Sequence, residues 1–300
     1  VGALSVYGGK KDCFYLACVE HFAQEQRYFL STLQKFSDQQ TSSLAQTLAG
    51  FNLPFVITDL PLDVPPCSHC TALCQGLSNC THPQTVAARE CLQKMLLQDR
   101  QRYQAHPKSY ERQRAAEDLK EQRPELLSRS LRRRCKRGFN PYWHRPIDVY
   151  IWSLYFDQLQ RFFKTSYDSF GNTSLMVWLR FLYWQRHLPE QTVLWEGRSV
   201  LVLLALLQAD IIKPRTAQAL ADLDRGSTAK LDVIRQIERH LNFFIYDRDL
   251  EVLIKEPKAF DSFLLALAAV AADRGQIKTI PSWAASKAPF ILPEFVRQDA

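Results

Sequence analysis

Short runs rich in apolar and β-branched residues at Val1–Tyr7, Cys13–Glu20 and Gln26–Leu33 predict three strands, the first two joined by a hairpin turn at Gly8–Asp12. Thr41–Ala49 is patterned as a helix closed by Gly50. The apolar run Pro54–Thr58 then predicts a buried strand that stops at Asp59. Three meandering strands, a helix and a fourth strand parallel to the first make a small mixed sheet with a crossover. From Thr85 to Asp118 the pattern is helical and polar on most faces. Over Ile147–Lys164 and Leu175–Arg186 aromatic and aliphatic residues recur every three or four positions, the mark of a buried helix face. Thr192–Glu196 is a second short apolar run ending on an acid, followed by an apolar helix over Arg198–Ala209. Helices are also expected over Ser227–Leu241 and Pro257–Arg274, the latter opened by Pro257 and closed by Gly275. The tail Ile280–Phe295 carries Pro281, Pro289 and Pro293 and is expected to lie extended over the surface. The fold class is therefore α/β, three antiparallel strands followed by parallel ones, with flanking helices. The polar helical block reads as a large insertion that divides the chain into 1–66, 67–190 and 191–300.

Composition changes this picture little. With 46% apolar and 23% charged residues the chain is ordinary for a globular protein, and its net charge of +7 leans toward polyanionic partners. Apolar runs are too short to span a membrane, Val200–Ala209 included. No charged leader precedes an apolar segment, so the expected compartment is the cytoplasm.

Candidate chemistry starts from three acids. Asp59 and Glu196 stand at strand exits, and Asp261 lies in the first turns of a helix expected to cross the sheet. Hard cations such as Mg²⁺ or Mn²⁺ need carboxylate oxygens converging from several elements, and an ion pair about 3.5–4 Å apart can drive phosphodiester hydrolysis. Each acid alone is equally explained as a turn residue or a helix-dipole partner. Their motifs carry a resemblance. ITDLPLDVPP resembles a strand motif of the form I-x-I-D-x-P-L-x-x-P found in a broad bacterial family of predicted nucleases with a ribonuclease H-like fold. LWEGRSVLVLLAL is similar to that family's acid-tipped strand and following helix, FDSFLLALAAVAADRGQIKTIP to its last helix, and APFILP to its closing strand. The resemblance implies a ribonuclease H-like mixed sheet, with Asp59, Glu196 and Asp261 as metal-binding, catalytic acids. The insertion is unmatched. The family's first strand carries an acid in a G-x-D pattern, whereas this chain has Gly2-Ala3-Leu4-Ser5. Asp12 in the hairpin turn and Glu20 on the second strand are the nearby acids.

Four cysteines and two histidines fall between Cys67 and His82. The spacing Cys67-x2-Cys70-x3-Cys74-x5-Cys80 suits a structural Zn²⁺, with His82 or Cys135 as alternative ligands, or an iron–sulfur cluster. The alternative is a set of buried free thiols, over which the clustering of four cysteines in so short a stretch favours metal. Further on, Arg129, Arg132, Arg133, Arg134, Lys136 and Arg137 form a basic run followed by Phe139, Tyr142, Trp143 and His144. Cations neutralise phosphates and aromatic faces stack on unpaired bases, so Arg132–Arg137 are the candidate nucleic-acid contacts. Two functions are thus expected. One is a divalent-metal-dependent nuclease whose first-strand acid is missing. The other is a non-catalytic nucleic-acid-binding module braced by metal on the cysteines.

Overall fold

A computed structural model describes residues 1–7, 13–37, 41–50, 53–105, 127, 129–165, 175–186 and 188–296. The expected hairpin turn with Asp12, and the expected helical stretch beyond residue 105, fall outside the described residues. Contacts divide the chain into two compact units: Val1–Leu62 with Gly171–Thr279 and Ala288–Ala300, and Asp63–Phe170 with Ile280–Lys287.

The first unit is α/β. Strands β1 (Gly2–Tyr7), β2 (Cys13–Phe22) and β3 (Arg27–Ser37) form an antiparallel meander. Helix α1 (Thr41–Gly50) leads to β4 (Phe55–Thr58), which pairs parallel to β1 and places Leu4 opposite Thr58. Strand β5 (Val193–Glu196) pairs parallel to β4, with Glu196 opposite Thr58. The two-residue β6 (Phe243–Phe244) adds parallel to β3, giving the order β5-β4-β1-β2-β3-β6. One face of the sheet packs Leu4, Phe14, Leu16, Phe36 and Val56 against Leu48 of α1 and Phe181 of an aromatic-rich helix over Leu175–Gln185.

The other face is covered by a helix over Pro257–Asp273, in which every residue from Ser262 to Ala271 is buried. A helix apolar on all sides belongs inside a protein. Buried Ser262 fixes it to the sheet, its hydroxyl lying 3.0 Å from the carbonyl of Ala3 and 3.1 Å from that of Tyr15. The apolar helix Ser199–Gln208 packs beside it. Two further helices were not anticipated, Pro214–Ala219, which is only six residues long, and Asp247–Lys255, although Pro214 opens the first and Asp247, Asp249 and Lys255 flank the second with helix-favouring charges. The proline-containing tail departs from a surface course: Phe290, Ile291 and Leu292 are buried. The Ile291 amide donates to the Glu196 carbonyl at 2.8 Å, so this segment extends the sheet edge beside β5.

The second unit is helical. Following α1, helices α2 (Pro83–Ala105), α3 (Arg129–Arg137) and α4 (Pro146–Phe163) pack with α2 between the other two. Although α2 is polar overall, it buries Thr85, Ala88, Leu92, Met95 and Asp99, a stripe at three- and four-residue spacing. The remaining helices are numbered in chain order: α5 (Leu175–Gln185), α6 (Ser199–Gln208), α7 (Pro214–Ala219), α8 (Gly226–Leu241), α9 (Asp247–Lys255) and α10 (Pro257–Asp273).

Candidate functional site

Parallel pairing of β1 and β4 carries the register one step past Leu4 and Thr58, bringing Ser5 beside Asp59. Side chains alternate across a strand, so Leu4, Thr58 and Glu196 share one face while Ser5 and Asp59 share the other. That second face is the one α10 covers, and it is where Asp261 lies.

The Ser5 hydroxyl donates to Asp59 Oδ2 at 3.0 Å. Lys258, one turn ahead of Asp261 on α10, places its ammonium 3.1 Å from Asp261 Oδ2 and 3.7 Å from Asp59 Oδ2. The Ser199 hydroxyl, at the start of α6, donates to Asp261 Oδ1 at 2.8 Å. A lysine in the first turn of a helix opposes the helix dipole, so its placement is explained by the carboxylates that receive it. Burial lowers the affinity of the Lys258 amine for its proton. Asp261 and then Asp59 more than offset this and hold the amine above its ordinary value. Burial also pushes the Asp59 carboxyl up. Lys258 opposes that shift and the Asp261 charge reinforces it, while Arg198 and the Ser5 hydrogen bond pull it down.

Glu196 is built differently. It is fully buried, and its Oε1 accepts from Arg198 at 2.8 Å while its Oε2 accepts from the Leu62 amide at 2.9 Å. The same guanidinium donates to the Asp59 carbonyl, locking the exit of β4 to that of β5. Gly197 allows this turn, because a Cβ there would sit 2.7 Å from Ile57 Cδ1 and 3.4 Å from Leu265 Cδ2. The structure therefore brings Asp59 and Asp261 to one ammonium and sets Glu196 on the opposite sheet face in a closed ion pair. Glu20 lies exposed near the start of β1, at the far end of the sheet from Asp59. The residues missed by sequence reasoning are Lys258 and Arg198. The spacing Lys258-x2-Asp261 on a helix is the signal that was available for the first.

In the second unit the four clustered cysteines are neighbours. Burial and then repulsion from Cys80, Cys70 and Cys74 push the Cys67 thiol up. Cys74 Sγ lies 3.4 Å from the Tyr142 hydroxyl, which holds that thiol below its ordinary value. Among the described residues, however, no three His, Cys, Asp or Glu side chains converge on a point where one ion would be held. Cys135 is buried in α3, where burial and then the nearby Asp99 and Cys91 push it up to about 11. His82, with His69 and Asp63, lines a separate cavity of 240 Å³. Of the basic run, Arg132 is committed to buried Asp99, its Nε 2.6 Å from Oδ2. Arg133, Lys136 and Arg137 are exposed, and Arg134 is half-buried.

Comparison with known proteins adds no relative: no family model matches the chain, and no curated protein or solved structure resembles it significantly. Among the described residues no helix is long and apolar enough to cross a membrane.

Proposed function

We propose that the chain is a ribonuclease H-like protein that binds nucleic acid without cutting it, its divalent-ion site replaced by an internal lysine. The observation that carries this reading is the Lys258 ammonium shared by Asp59 and Asp261. It supplies the positive charge that two carboxylates at this place would otherwise take from a metal ion. Ser5 supports the reading because the first-strand position offers a neutral hydroxyl instead of an acid. Glu196 supports it because both carboxylate oxygens are spent. The donor set does not fit a two-ion centre, and no hydrolytic step is derived from it. Binding rests on the basic residues of α3 and the net charge of +7.

The test is a pair of assays on the full chain with labelled single-stranded DNA and RNA. The expected result is binding that is independent of Mg²⁺, with the oligonucleotide recovered intact after incubation with Mg²⁺ or Mn²⁺. Metal-dependent cleavage that disappears in Asp59→Asn would overturn the proposal and restore the nuclease.

A further inference from the structure

A cavity of 290 Å³ opens between α2, α3 and the loop that follows α3. It lies wholly in the helical unit, apart from the carboxylates. Its cationic lining residues are Arg89, Arg134 and Arg137, with His144 beside them, and none of its lining residues is acidic. Leu92, Leu131 and Phe139, all buried, form the apolar part of the wall. Arg89 spends its terminal nitrogens on the carbonyls of Leu77, Ser78 and Cys80, at 2.9–3.2 Å. Its Nε is buried and has no hydrogen-bond partner. Buried donors are rarely left so, and each is a place to look for a missing ligand. His144 is pushed below its ordinary value by burial and then by Arg134. The imidazole thus offers a neutral, flat edge between cationic neighbours.

Ligand pockets run from about 300 to 1,000 Å³, so this one is at the small end. At that size it suits one compact ligand rather than an extended one. An apolar wall with a cationic rim matches the two halves of a nucleotide, base and phosphate. Trp143, beside His144 in the chain, is 78% exposed and provides a face on which an adjoining base can stack.

We infer that this cavity takes one unpaired nucleotide of a single-stranded nucleic acid, its phosphate at Arg134 and Arg137 and its base against Phe139 and His144. The inference rests on the nucleic-acid-binding reading and names the place where that binding is specific. A base held in a cavity cannot also be paired, so single strands bind in preference to duplex.

The test uses fluorescence anisotropy on the full chain, with labelled single-stranded and duplex oligonucleotides of the same sequence. The double variant Arg134→Ala, Arg137→Ala is compared with Arg133→Ala, Lys136→Ala, which removes equal charge from exposed positions of the same helix. The pocket variant is expected to lose about tenfold or more in single-strand affinity and the exposed pair no more than about threefold. Adenosine monophosphate should shift the His144 ring resonances in the wild type and not in the pocket variant. Should Arg134→Ala fail to fold, Arg137→Glu alone carries the test. Equal losses in both double variants, or duplex bound as tightly as single strand, would overturn the pocket while leaving nucleic-acid binding intact. Absence of wild-type binding to any oligonucleotide would remove both.

Discussion

Asp59 sits in an electrostatic conflict: a carboxyl with a side chain 17% exposed, beside a second carboxyl and a shared ammonium. Its folded value is raised above the ordinary 3.8, so the folded state holds the proton more tightly than the unfolded chain. Stability therefore falls as pH rises from that ordinary value through the raised one. Asp59→Asn removes the cost and leaves Lys258 with Asp261 at 3.1 Å. Thermal melts from pH 4 to pH 8 should show the variant gaining on the wild type as pH rises. A wild type that gains on the variant toward pH 8 would contradict this assignment. At this scale the sequence was only partly legible. Asp59 and Asp261 stand out because acids at the ends of apolar segments are conspicuous. Lys258 does not, because its spacing to Asp261 reads as a local i,i+3 pair on one helix until the tertiary fold brings Asp59 to the same ammonium. Glu196 matches Asp59 in sequence context, yet strand alternation sends it to the other face.

Among elements, the junction of β4, β5 and α10 decides where the acids lie. Gly197 matters there for space. A Cβ at Gly197 would lie 2.7 Å from Ile57 Cδ1, so Gly197→Ala makes the Ile57 side chain shift within its packed surroundings. Overpacking of this kind costs about 1–3 kcal/mol, which urea unfolding should register as a lower midpoint with an unchanged slope. An unchanged midpoint would show that the turn has slack. The strands and most helices of this unit were legible because each is a distinct apolar run with its own stop signal. By contrast, β6 has only two residues and gains its identity from pairing with β3. The buried course of Phe290–Leu292 was obscured by prolines, since a sheet edge tolerates proline where a central strand does not. In α2 the buried stripe was hidden by the polar residues around it, and Asp99 belongs to that stripe because Arg132 neutralises it.

The whole molecule holds a closed carboxylate site in its α/β unit and a basic, cysteine-rich group in its helical unit. The central claim concerns Lys258, and Mn²⁺ calorimetry tests it most directly on the wild type, Lys258→Met, and Lys258→Met combined with Asp261→Asn. The account predicts negligible Mn²⁺ binding by the wild type, binding gained when the ammonium is removed, and binding lost again when Asp261 is neutralised. Tight Mn²⁺ binding by the wild type, no stronger in Lys258→Met, would contradict it and return the carboxylates to a metal-dependent enzyme.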